Sequence, residues 1–229
     1  MMSTRKYMLA LASLFSMLAV GGGQAHAERY EMSVGAGSHF VPMESMDALT
    51  EDSAYVGPAL SIALRLPELS LVPDTGTEVV LGYESGLMTG ESFRAIQSRF
   101  NISTVSLSVR LRKQLFSKGS AFVQVGIGWQ RSDLALMDVS GDEDRRLEGS
   151  SNAFSGLAAI GFDLALVQGP KAPFSLSLRT EIGYQASTSL AMDAAPVGGD
   201  ELSIPRKSRD LGSVNASGAM LRWGFVVSM

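Results

Sequence analysis

Apolar and polar residues alternate with a period of two in eight separate stretches, which run Tyr30–Phe40, Tyr55–Arg65, Glu78–Leu87, Thr104–Arg112, Ala121–Gln130, Phe154–Leu166, Phe174–Gln185 and Ala219–Met229. Successive side chains of a β-strand point to opposite faces, so each stretch reads as a strand with one apolar and one polar face. In the first, Tyr30, Met32, Val34, Ala36, Ser38 and Phe40 share one face, and Glu31, Ser33, Gly35, Gly37 and His39 share the other. In the fourth, Val105, Leu107, Val109 and Leu111 oppose Thr104, Ser106, Ser108, Arg110 and Arg112. The pattern predicts an all-β protein.

Charge decides how such a sheet is turned. The apolar faces of the eight stretches hold no charged residue. The opposite faces hold the acids Glu31, Glu78, Glu84, Asp163 and Glu181 and the arginines Arg65, Arg110, Arg112, Arg179 and Arg222. A soluble sandwich or barrel would carry its charges outside and its apolar residues inside. Here the polar faces are otherwise rich in Gly, Ala and Ser, small enough for the inside of a narrow tube, while the apolar faces are large and aromatic. One Arg or Lys facing lipid at mid-bilayer would cost about 2–4 kcal/mol. The pattern therefore predicts a transmembrane, antiparallel, up-and-down β-barrel of eight strands, apolar outside and ionic inside.

Connections alternate in length as such a barrel requires. The links Val41–Ala54, Met88–Asn101, Arg131–Ser151 and Ser187–Val214 are long; Pro67–Gly76, Lys113–Gly119 and Val167–Pro173 are shorter. Short periplasmic turns and long outer loops go with an even strand number and two periplasmic termini. The last long link has room for an extra hairpin, which would make ten strands possible. Phe40, Tyr83, Trp129, Phe154 and Tyr184 fall toward the outer strand ends, and Tyr30, Phe174 and Phe225 toward the periplasmic ends, as two interfacial belts.

The first 27 residues belong to export rather than to the fold. Arg5 and Lys6 precede an apolar run of 14 residues, Tyr7–Val20, and Ala25-His26-Ala27 offers small residues around a cleavage point. That run is shorter than the about 20 residues a spanning helix needs, so it reads as a cleaved signal peptide. Residues 28–229 then form one barrel domain with 17 Lys and Arg against 23 Asp and Glu. An acidic balance argues against a nucleic-acid partner, and with no cysteine there is no disulfide or thiolate metal site.

These strands, and above all the closing Leu221-Arg222-Trp223-Gly224-Phe225-Val226-Val227-Ser228-Met229, resemble the OmpA/OmpX-like superfamily of small outer-membrane barrels. The resemblance is one of pattern over the whole of residues 28–229. It implies a bacterial outer-membrane location, membrane lipid and lipopolysaccharide as surroundings, and handling by the barrel assembly machinery. That machinery reads a final strand with a terminal aromatic; Met229 stands in that place here, behind Trp223 and Phe225. OmpA carries a peptidoglycan-binding domain after its barrel, and none is expected here.

Strand direction places Glu31, Arg65, Glu78, Arg110, Arg112 and Asp163 in a layer near the periplasmic end, and Glu84, Arg179, Glu181 and Arg222 at mid-height or above. Each layer then holds equal numbers of acids and arginines. An eight-stranded barrel is just wide enough for side chains to fill, so the expectation is a self-neutralising plug, with a narrow channel for small or hydrophobic solutes as the alternative. A lipid A-modifying enzyme would need a histidine beside a serine and an acid. His39 is the one histidine after residue 27, its neighbours Ser38 and Phe40 point the other way, and no nucleophile–base–orienter set is visible. A non-enzymatic structural or surface role without cofactor or metal is expected. Asp138, Asp142, Glu143 and Asp144 match no EF-hand spacing and read as a solvated loop. Arg206, Lys207 and Arg209 in the last link could meet lipopolysaccharide phosphates; a surface partner is not legible.

Overall fold

The computed structural model describes residues 30–41, 54–66, 72–92, 96–138, 145–167, 174–197 and 209–229. Their strands are β1 (Tyr30–Phe40), β2 (Ala54–Leu66), β3 (Gly76–Ser92), β4 (Ile96–Phe116), β5 (Gly119–Asp138), β6 (Arg145–Val167), β7 (Ser175–Ser187), β8 (Leu190–Val197), β9 (Arg209–Val214) and β10 (Gly218–Ser228). The signal-peptide reading falls on residues outside this set.

Eight strands close a ring. Each of β1 to β6 pairs antiparallel with the next, β7 pairs with β10, and β10 returns to β1. The seam is complete to its end, with Tyr30 and Met229 exchanging both backbone hydrogen bonds at 3.2 and 2.9 Å. The extra hairpin in the last link exists as β8–β9, but it does not enter the wall. It leaves the end of β7 and returns to β10, touching the ring where Ala195–Val197 pair with Arg146–Glu148 of β6. The barrel is thus eight-stranded, and the ten strands among the described residues include two that stand over the mouth opposite the Tyr30–Met229 seam.

Facing follows the alternation. Val34, Leu81, Leu107, Ile127, Ile160, Ile182 and Trp223 are exposed on the outside, while Glu31, Glu78, Glu84, Arg110, Asp163, Arg179 and Glu181 are buried inside. On β4 the outward residues between Ser103 and Lys113 are all aliphatic. Ten residues of strand at about 3.3 Å each, tilted by about 40°, give a band about 25 Å tall, the thickness that an outer-membrane barrel presents to lipid.

Two of the long links are not loops. β3 and β4 stay paired up to Ser92 and Ile96, and β5 and β6 up to Asp138 and Arg145, so two tall hairpins rise above the lipid band. There the polarity inverts on the same strands. The outward row Tyr83–Val105–Trp129–Phe154 is the last wholly apolar one, with Leu87 of β3 still standing outward beyond it beside Asn101. Above that row stand Ser103, Arg131 and Asn152, then Asn101, Asp133 and Ser150, then Arg99, Ala135 and Glu148. Inward positions switch the other way, from Thr104, Ser106 and Ser108 below to Ile102 and Phe100 above. A strand in lipid turns its apolar face out, and the same strand in water must turn it in.

Candidate functional site: the layered lumen

Every wall strand contributes to the layer at the end of the barrel where Tyr30 and Met229 meet, β10 through Ser228, whose Oγ donates to Glu31 at 3.4 Å. Register places Glu78 of β3 between Arg65 of β2 and Arg110 of β4, and Asp163 of β6 opposite Arg179 of β7. Arg179 grips Asp163 through Nε and Nη2 at 2.7 Å each and donates to Glu31 of β1 at 3.1 Å. Arg112 spans the tube to both oxygens of Glu31 and lies 3.0 Å from Asp163 and 3.3 Å from Glu78. Arg110 donates to Gln124 of β5 at 2.9 Å, and Gln124 donates to Ser108 at 2.8 Å. The guanidiniums of Arg110 and Arg179 lie 4.5 and 5.0 Å from the centre of the Phe122 ring, close enough for cation–π attraction. Arg65 is the outermost member, partly exposed at the rim and 3.5 Å from Glu78.

A second ionic layer lies higher. Arg222 of β10 holds Glu84 of β3 through Nε at 2.8 Å and Nη2 at 2.7 Å, and donates from Nη1 to Glu181 of β7 at 2.8 Å. His39 of β1 points into the tube, its Nε2 2.8 Å from Oε1 of Glu84. Its ring lies flat on that of Tyr55 from β2, with centroids 4.7 Å apart and planes 5° from parallel. Two glycines admit this group: a Cβ at Gly37 would overlap the Glu84 carboxylate, and one at Gly86 would overlap the Tyr55 ring. Between the ionic layers lies a cavity of about 50 Å³, lined by Ser33, Ser61, Gly82, Ser106, Gln124 and the facing arginines and glutamates. At about 10–15 Å³ per water on this measure, it has room for a few waters.

Above the second layer the interior is mainly apolar, with Ser98 and Ser132 as its buried polar members. Tyr55, Met88, Phe100, Ile102, Leu134 and Ala153 from the wall pack with Val41, Leu190, Val214 and Ala216. Leu190 and Val214 face each other at the base of the β8–β9 hairpin, so that hairpin supplies part of the layer. The base is tied down where Ser187 N donates to Ser217 Oγ at 2.7 Å and Thr188 N donates to the Phe154 carbonyl at 2.9 Å.

The ten charged residues named for the lumen all face it, but their grouping differs from the sequence expectation. Arg179 belongs to the lower layer, because its partners are Asp163 and Glu31. The lower layer therefore holds three carboxylates and four arginines, and the upper one two carboxylates and a single arginine. His39 is buried in the tube. Sequence reading also passed over the apolar layer, because Phe100, Leu134 and Leu190 fall in stretches taken for loops. Their signal was phase: Phe100 and Ile102 continue the inward series of Thr104 and Ser106.

Arg206 and Lys207 lie outside the described residues, as do Asp142, Glu143 and Asp144. Arg209 opens β9 and Asp138 closes β5, with their side chains likewise outside.

No family model matches the chain, and no curated protein sequence does. Solved structures share its fold. A major outer membrane protein from Thermus thermophilus aligns over 89% of this chain and 100% of its own at 15% identity, with a TM-score of 0.54. The outer membrane protein OprG from Pseudomonas aeruginosa aligns over 89% and 96% at 12% identity, with a TM-score of 0.50. The closed antiparallel eight-stranded barrel is thus the fold of small outer-membrane proteins.

Proposed function

We propose that this chain is a non-enzymatic protein of the bacterial outer membrane, exported by the leader over residues 1–27, with a sealed lumen and a structural or surface-interaction role. The observation that carries the reading is the stacking of three filled layers in one narrow tube. Glu31 and Arg112 join opposite walls below, Arg222 joins Glu84 to Glu181 at mid-height, and Phe100, Leu134 and Leu190 fill the mouth. Opening such a lumen would strand buried charges below and expose apolar surface above, both costly.

Partners follow from the outer surface. Arg131 faces outward one row above the aromatic row, beside Asp133, at the level where lipopolysaccharide phosphates would meet it, and Arg99 and Arg146 stand outward in the third and fourth rows, Arg146 beside Glu148. The closing strand Gly218–Ser228 is the segment that the barrel assembly machinery would handle.

Catalysis is disfavoured by the surroundings of His39. It has an acid at 2.8 Å, but its other neighbour is the Tyr55 ring, and it is 1% exposed beneath an apolar layer. Among the described residues a substrate has no approach to it. Mass spectrometry of lipid A with and without the gene should show the same species, and a changed acylation pattern would sink the reading.

A narrow channel is the second reading, favoured by the polar cavity of about 50 Å³ at mid-height. Planar-bilayer recordings of the refolded protein separate the two. A sealed lumen gives no steady conductance, whereas steady current altered by Glu84→Gln or Arg222→Gln establishes the channel.

A further inference from the structure

The outer wall is dented near the end where Tyr30 and Met229 meet. A groove of about 730 Å³ runs there, floored by Ala121 of β5. Register sets Lys113 of β4 on one side of Ala121 and Phe162 of β6 on the other, with Thr180 of β7 beyond. A single methyl between two long side chains leaves the recess. Its lower end is shaped by an irregularity in β4, whose register shifts between Gln114 and Phe116 while Gln114 Nε2 donates to the Phe116 carbonyl at 2.6 Å. A bulge re-aims side chains. Here Leu115 lines the groove, and the Phe116 ring packs 5.9 Å from that of Phe162. Gly119 admits the Phe116 ring, which a Cβ at that position would overlap.

The groove is apolar except for Thr75, Lys113 and Thr180. The Thr75 hydroxyl already donates to the Val72 carbonyl at 2.6 Å, whereas Lys113 has no hydrogen bond or ion pair among the described residues. Lys118, in the β4–β5 turn, adds a second cation at that end, and Asp74, in the turn that carries Val72 and Thr75, adds one acid. Barrel strands are tilted, so a register row climbs as it crosses them. Lys113 stands near the end of β4, but Thr180 and its neighbour Trp223 of β10 stand well inside their strands. The ammonium therefore marks the edge of the lipid band, and the recess runs from it into the band.

We propose that this groove binds one anionic phospholipid of the leaflet at that end, its phosphate at Lys113 and an acyl chain laid over Ala121 toward Ile160 and Ile182. Its volume lies in the range of about 300–1,000 Å³ that ligand pockets span. A chain filling the recess makes dispersion contacts that an empty recess forfeits. A net negative headgroup meets Lys113 and Lys118 favourably, while a headgroup with its own cation brings like charge against them. The site rests on the outer-membrane reading above and adds a lipid preference to it.

Trp129 and Trp223 are the two tryptophans of the chain, and Trp223 is the register neighbour of Thr180. In a Trp129→Phe background, Trp223 fluorescence reports contact with phosphatidylglycerol brominated on its acyl chains, titrated into the full barrel in detergent micelles. Quenching should saturate at a low lipid fraction. Brominated phosphatidylcholine should need about fivefold more, the scale of one lysine at an anionic surface. Lys113→Gln should remove this preference, and Ala121→Phe, which fills the floor, should make quenching rise linearly with either lipid. Quenching that is linear in the unaltered groove, equal for the two lipids, or unchanged in both variants overturns the site. The comparison of headgroups needs neither groove variant, so it decides even if both fail to fold. Vesicles made wholly of brominated lipid keep the membrane location apart from the site, because both tryptophans must be quenched there if the barrel spans a bilayer. Quenching in vesicles without saturation in micelles removes the groove alone, and unquenched tryptophans in vesicles remove the membrane reading with it.

Discussion

Arg112 of β4 and Glu31 of β1 meet fork to fork across the lumen, Nη2 donating to Oε2 at 2.7 Å, although β2 and β3 lie between them in the wall. A pair of this kind does more than neutralise charge. It ties opposite sides of the ring together, and it can form only if the tube is narrow enough for two side chains to span it.

Breaking that node should be costly. Glu31 also receives Arg179 at 3.1 Å and lies 3.6 Å from Arg110, so Glu31→Ala leaves three buried guanidiniums short of a carboxylate. Removing one partner of a buried pair costs about 3–5 kcal/mol. Urea unfolding of the barrel in lipid vesicles should register a loss of that size. The double variant Glu31→Leu/Arg112→Leu should lose less than Glu31→Ala, because it strands fewer charges. A Glu31→Ala barrel as stable as the parent would mean that the lower layer contributes nothing.

Gly86 is predicted to be coupled to Tyr55. The glycine faces inward opposite a ring that occupies the space of its missing Cβ. Gly86→Ala should destabilise by about 1–3 kcal/mol through overpacking. In a Tyr55→Ala background the same change should cost little, since the obstructing ring is gone. A double-mutant cycle on the urea midpoints measures this non-additivity, and strictly additive effects would show that the two positions do not touch.

How far this architecture can be read from sequence depends on which force sets each feature. The facing of Val105, Leu107, Arg110 and Arg179 was legible because a period-two pattern and the cost of charge in lipid fix it without tertiary information. The tall hairpins were not legible by the same rule. Above Trp129 the solvent changes from lipid to water, so Arg131 and Asp133 turn out while Leu134 turns in, and an apolar-out template stops at the boundary. The layer of Arg179 was misjudged because strand stagger, which brings it level with Asp163 and Glu31, is a property of the closed ring. His39 met Glu84 for the same reason: β1 and β3 are not adjacent, and only the curvature of the wall brings the two side chains together.

The apolar layer at the mouth should behave as the core of a small soluble domain. Phe100 is fully buried there with Leu134 and Leu190. Truncating a buried Phe to Ala costs about 3–5 kcal/mol through lost burial and the cavity left behind. In Phe100→Ala the loss should be local, appearing as faster amide exchange at Leu134 and Val214 while the lipid-embedded amides of Leu107 and Ile127 keep their protection. Uniformly faster exchange over the whole barrel would mean that mouth and wall unfold as one unit.

The position of the lipid boundary can be tested by moving one charge along one face of one strand. Leu107 and Asn101 both point outward on β4, three alternate positions apart, with Val105 and Ser103 between them. If the boundary lies just above the row of Val105 and Trp129, then Leu107 sits in hydrocarbon and Asn101 in water. Leu107→Arg should cost about 2–4 kcal/mol of unfolding free energy in vesicles, and Asn101→Arg about 0–1 kcal/mol. The gradient is diagnostic because both variants add the same side chain to the same strand, so β propensity and net charge cancel between them. Similar small penalties at both sites would place Leu107 in water and remove the basis for a membrane-spanning barrel, and a large penalty at Asn101 would raise the boundary into the tall hairpins.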